Sequence, residues 1–201
     1  MKKLLLLLPL FFVFIAGCAS SAKSAGEDVT ILPRSSWKAL DPKPFKPQVP
    51  QRITIHHEGE FFSPDSNSAE KIKKTQVWGM GKDRNWADIP YHFMIDAHGV
   101  IFEGRNVFTA GETNTTYDPT GHLLVTLLGN FEEQKVTKEQ LNSLVNLLAY
   151  CCNKYQISPE TIKGHKDYAE TLCPGKDLYK YLQDGSLIKM VKEVLKDKYG
   201  K

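Results

Sequence analysis

Two hydrophobic periods divide the chain. The run RITIH, Arg52 to His56, is β-rich and ends at a pair of histidines. From Ser66 to about Lys82, Ala69, Ile72, Val77 and Met80 recur at helical spacing, which predicts a helix burying those four. The stretch YHFMIDAHGVIFEGR reads as a hairpin, two β-rich runs around a turn containing Gly99. Leu123 to Leu128 reads as a continuous apolar run broken only by Thr126, the mark of a strand buried on both faces. Thr137 and Gln140 fit a helix capping box, and Leu141, Leu144, Val145, Leu148 and Cys152 continue the period. A last helix is expected over Ser186 to Tyr199. Strands interleaved with helices predict an α/β fold, a single domain with a central mixed β-sheet flanked by helices. The Pro-rich stretch PRSSWKALDPKPFKPQVPQ is expected to wrap that domain as an extended segment.

The N-terminus, MKKLLLLLPLFFVFIAGCAS, carries a different message. Lys2 and Lys3 precede an apolar run, Leu4 to Ile15, too short to span a bilayer comfortably. The run ends at Ala16-Gly17-Cys18, similar to a bacterial lipobox, in which Cys18 would be lipidated and become the mature N-terminus. The expected division is a lipoprotein signal peptide over 1–17, lipidated Cys18 with a flexible tether over 18–30, and one globular domain over 31–201. The protein is then exported and held to the membrane of the cell envelope by its lipid. Ala19, where an Asp would favour inner-membrane retention, points to the periplasmic face of the outer membrane. The formal charge is +3, and the two leader lysines supply most of it, leaving about +1. That balance gives no pull toward nucleic acid, and no motif asks for an organic cofactor.

An exported chain permits disulfides, yet beyond Cys18 only Cys151, Cys152 and Cys173 remain. Cys151 and Cys152 fall on the predicted long helix, where one is expected to face the core. Cys173 is different, lying eight residues after His165 and just before Pro-Gly in GHKDYAETLCPG. His56 and His57 end a strand, where open α/β sheets place ligand sites. Two histidines and a thiolate make a three-ligand zinc set with one open position, the arrangement of catalytic rather than structural zinc. No CxxC or HExxH accompanies them, so spacing alone leaves a metal set or coincidence. His98, in a turn, and His122, beside a glycine, are expected to face solvent. Trp37, Trp78 and Trp86 are expected to pack, with groove lining the alternative for Trp86, in the loop ahead of Tyr91.

Five motifs in order then carry a resemblance: PRSSW, ITIHHEG, WADIPYHFMIDAHGVIFEGR, LLVTLLGNF and KGHKDYAETLCPGKDL. Together they resemble the peptidoglycan recognition protein and zinc amidase family, over about Ile31 to Leu182. The resemblance implies that family's mixed-sheet fold and one zinc ion per chain, held by His56, His165 and Cys173. It implies hydrolysis of the amide between N-acetylmuramic acid and L-alanine, in peptidoglycan or muropeptides. Tyr91 matches the family's active-site tyrosine, and Thr171 a position that is Lys or Thr among members. His57, Trp86 and Asn130 are the further candidates for substrate contact, although strand parity turns His57 away from His56's face. The segment Asn114 to His122 departs from the family pattern. Some members bind peptidoglycan without cutting it and typically lack the Cys; a binding module is therefore the alternative. A closed structural zinc site and a Cys173 nucleophile are the other rivals.

Overall fold

The computed structural model describes residues 29–201. The leader, Cys18 and all but the last two residues of the 18–30 tether lie outside the described residues. A six-stranded sheet runs through the domain: β1 (Ile31–Leu32), β2 (Arg52–His57), β3 (Phe93–Ile95), β4 (Ile101–Glu103), β5 (His122–Leu127) and β6 (Lys163–Gly164). Its order is β1-β4-β3-β5-β2-β6. Every neighbouring pair is parallel except β3 and β4, so the sheet is mixed, as expected. The antiparallel pair is the predicted hairpin, with Ile95 opposite Ile101. Asp96 shapes its turn, its Oδ1 accepting the N–H groups of His98 and Val100.

Four helices cover the sheet: α1 (Ser68–Met80), α2 (Lys138–Tyr155), α3 (Lys176–Gln183) and α4 (Ser186–Tyr199). The capping box forms at α2: Thr137 Oγ1 accepts from Gln140 N, and the Gln140 side chain accepts from Thr137 N. Both Cys151 and Cys152 are buried under this helix. In α1 the buried face differs from the periodic expectation. Val77 is exposed, and Gln76 and Gly79 take inward positions beside Ile72. Gly79 is there because the Trp86 ring lies against it; a Cβ would come within 2.6 Å of that ring. The short α3 has no counterpart in the periodic reading.

Strand parity sorts the core. Ile53, Ile55, Leu123, Val125 and Leu127 pack with Phe93, Ile95 and Ile101 against α2 and α4. The other face carries Met94 and Phe102, packed with Trp37, Ile72 and Ile89 under α1. That second face also carries Thr54, His56, His122 and Thr126, all buried. Polar groups on a buried sheet face need partners, and of these four His56 and Thr126 pair side by side toward the ends of β2 and β5.

Candidate metal centre and the groove beside it

His56 stands on the polar face at the end of β2. His165 opens a single 3-10 turn, His165–Asp167, directly after β6, the strand next to β2. Cys173 reaches the same place on a loop. Its N–H donates to Thr171 Oγ1 at 3.2 Å, and its carbonyl accepts from Lys166 N at 3.0 Å. The Pro-Gly that follows explains itself. Gly175 has a φ of +89°, and a Cβ there would lie 2.5 Å from the Phe131 backbone. The loop therefore seats on the turn after β5, and Asp177 N donates to Phe131 O.

One ligand atom from each of His56, His165 and Cys173 lies within 4.8 Å of the other two, and all three residues are buried. Cys173 Sγ is 3.5 Å from His56 Nδ1 and accepts the His57 N–H at 3.4 Å. His165 Nε2 is 2.8 Å from Thr115 Oγ1. Burial holds both imidazoles neutral, His56 well below its ordinary value and His165 at about 4. Burial also pushes the Cys173 thiol up to about 12, against the His57 N–H, which favours thiolate. Neutral imidazoles are what a divalent metal requires, and a bound cation inverts the pressure on a thiol. Two borderline-soft nitrogens and one sulfur, converging without a fourth protein ligand among the described residues, fit zinc with an open position.

Parity turns His57 the other way. Its Nδ1 accepts from Phe131 N, and its ring lies 6.3 Å from that of Phe131. Asn130 closes the same turn, its Oδ1 accepting from Glu132 N. Tyr91 sits just before β3 with its ring 5.4 Å from that of His56. Burial raises its phenol above the ordinary value, and the nearby Cys173 and Glu58 raise it further. It stays protonated, a donor rather than a base. Thr171 still has its own hydroxyl proton to donate after accepting from Cys173.

A groove of about 460 Å³ runs beside Tyr91. Its walls include Trp86, Trp78, Pro90 and Asn114, and Glu58, Lys71 and Lys74 give it charge. Neither His57 nor Asn130 belongs to this lining. Trp78 is not packed as expected; it is exposed, edge-on to Trp86 at 5.6 Å, with the Arg84 guanidinium 3.8 Å from its ring centroid. Trp37 is packed, at 1% exposure. Glu58 is paired with Lys71 at 2.9 Å.

His98 is exposed as expected, but His122 is not. It opens β5 on the polar face, buried, with Nδ1 2.8 Å from Thr54 Oγ1. The residues that periodicity missed are Thr115 and Tyr117. They come from the atypical 114–122 segment, and Tyr117 lies 5.1 Å from the His165 ring and 5.7 Å from Tyr168. The departure of that segment from the family pattern was the signal available.

A mixed sheet with a His-His-Cys group at its strand ends defines a class, and the comparisons agree with it. The family profile for N-acetylmuramoyl-L-alanine amidase matches residues 46–176. The chain belongs to this amidase family. It is 30% identical over 158 residues to peptidoglycan recognition protein 1 of Rattus norvegicus, covering 76% of this chain and 85% of that protein. Among solved structures it is similar to peptidoglycan recognition protein-LE in complex with tracheal cytotoxin, a monomeric diaminopimelic acid-type peptidoglycan. That match has a TM-score of 0.68 and 31% identity, covering 77% of this chain and 92% of the other. It is also similar to the N-acetylmuramoyl-L-alanine amidase LysC of Clostridium intestinale, with a TM-score of 0.64 and 27% identity, covering 80% and 97%.

Proposed function

We propose that this protein is a zinc-dependent N-acetylmuramoyl-L-alanine amidase, cutting the bond between N-acetylmuramic acid and L-alanine in peptidoglycan or its fragments. The observation that carries the reading is the convergence of His56, His165 and Cys173 within 4.8 Å. Zinc held there would supply Lewis acidity, polarising the amide carbonyl and lowering the pKa of water toward about 7. The chain's own residues do the rest. Tyr91 keeps its proton and offers it to the oxyanion that develops on the carbonyl. Thr171, anchored to the Cys173 backbone, offers a second hydroxyl to the same oxygen. The groove walled by Trp86 and Trp78 takes the remainder of the substrate beside Tyr91. A Cys173 nucleophile is disfavoured, since an attacking thiol needs a depressed pKa and burial raises this one.

The leader and Cys18 support export and lipid anchoring, with Ala19 pointing to the periplasmic face of the outer membrane, where the wall is within reach. Radiolabelled palmitate incorporation that survives in Cys18→Ala would refute the anchor.

Zinc content and muropeptide cleavage decide the central claim, measured on the full chain in detergent beside Cys173→Ser. One zinc and free stem peptide from the wild type, both lost in the variant, is the expected result. Zinc and peptidoglycan binding without cleavage would replace the amidase with the binding module.

A further inference from the structure

The segment Thr113 to Tyr117 forms no strand or helix, yet it reaches the metal centre. Thr115 Oγ1 is 2.8 Å from His165 Nε2. The same hydroxyl is 2.8 Å from Thr113 Oγ1, which accepts the Thr115 N–H at 3.1 Å. Resting on the zinc reading, we propose that Thr115 is a positioning residue: its hydroxyl accepts the Nε2 proton of His165 and leaves Nδ1 as the lone pair that faces the metal.

A neutral imidazole has one N–H and one lone pair, and the bond made by one nitrogen decides the role of the other. The proton on Nε2 gives this chain of hydroxyls one direction. His165 Nε2–H donates to Thr115 Oγ1, whose O–H donates to Thr113 Oγ1. With the direction reversed, the Thr115 O–H would occupy the Nε2 lone pair and the imidazole proton would move to Nδ1, leaving neither nitrogen free to bind a metal. The Tyr117 ring, 5.1 Å from that of His165, restricts rotation that would exchange the two nitrogens. Nothing in this arrangement touches substrate; Thr115 acts through His165. Upstream, the buried Arg105 anchors the segment by donating to Ala110 O at 2.5 Å and pairing with Glu112.

Such outer partners typically change metal affinity 10- to 100-fold when removed. The test is the zinc dissociation constant of the full chain, by chelator competition, for wild type, Thr115→Val and Thr115→Ser. Val keeps the shape and removes the acceptor. It is expected to bind zinc about 10- to 100-fold more weakly, while Ser stays close to wild type. Metal-free melting temperatures are expected to match across the three, which a merely structural role would not give. Zinc affinity unchanged in Thr115→Val overturns the proposal. Should that variant fail to fold, ¹⁵N NMR of the zinc-loaded wild type decides: a proton on His165 Nε2 supports the assignment, and a proton on Nδ1 refutes it. A wild type that takes up no zinc sinks both readings. One that binds zinc without cutting sinks only the amidase, because the affinity comparison needs no activity.

Discussion

At the scale of one side chain, the proposed amidase chemistry gives Tyr91 a part that can be separated from metal binding. Its ring packs beside His56 and its hydroxyl bears a proton that burial and nearby negative charge keep in place. Tyr91→Phe preserves the ring and deletes the donor. Muropeptide cleavage is expected to fall about 10²- to 10³-fold, with zinc content unchanged by metal analysis; equal loss of zinc would mean the ring, not the hydroxyl, matters. The tyrosine's backbone is fixed just as closely. Arg105 N donates to Tyr91 O, and Gly104 passes so near that a Cβ would lie 2.3 Å from that oxygen. Backbone cannot yield as a flexible side chain does. Gly104→Ala is therefore expected to cost about 1–3 kcal/mol in urea denaturation and to lower turnover by displacing Tyr91.

Two loops, 87–91 and 110–117, carry one part of the groove wall and the partner of His165, and one buried cation ties them together. Arg105 is 2% exposed; it donates to Ile89 O and Asp88 O on one loop and to Ala110 O on the other. Glu112 neutralises it and accepts from Ala87 N. Removing one partner of a buried pair strands the other charge, at about 3–5 kcal/mol. Glu112→Ala is expected to lose stability on that scale in denaturant titration; a loss under 1 kcal/mol would show that water reaches Arg105. Loops of this kind explain what sequence made legible. The long helix α2 announced itself through its capping box and period, and the His-His-Cys group through motifs in register. Thr115 was hidden because it reaches His165 from 50 residues away on a segment with no period. His122 was misread because its inward position follows only from β5 beginning one residue earlier than the apolar run. Val77 was misassigned because the Trp86 ring, folding back from the loop just past α1, covers the side that carries Gly79.

Across the whole domain the sheet divides its labour between faces, and the polar face makes stability depend on pH. His92 belongs to that network. It is fully buried, its Nδ1 accepts from Leu124 N at 2.8 Å, and its Nε2 lies 2.9 Å from Thr109 O. A proton on Nδ1 would meet the Leu124 N–H head-on. Burial holds its folded pKa at about 4, against the ordinary 6.5. Above pH 6.5 neither the folded nor the unfolded state binds the proton, so His92 has no effect on the slope. Between 6.5 and 4 the unfolded chain takes up a proton that the folded chain refuses, so stability falls as pH falls, by up to about 3 kcal/mol from this residue. Below 4 both states are protonated and the contribution flattens. The measurement is urea denaturation at a series of pH values, with chelator present so that metal binding adds no pH dependence of its own. His92→Gln has lower stability throughout but a shallower slope between pH 6.5 and 4. An unchanged slope would mean that the proton is taken up elsewhere on the polar face, and that His92 is held by packing rather than by the Leu124 hydrogen bond.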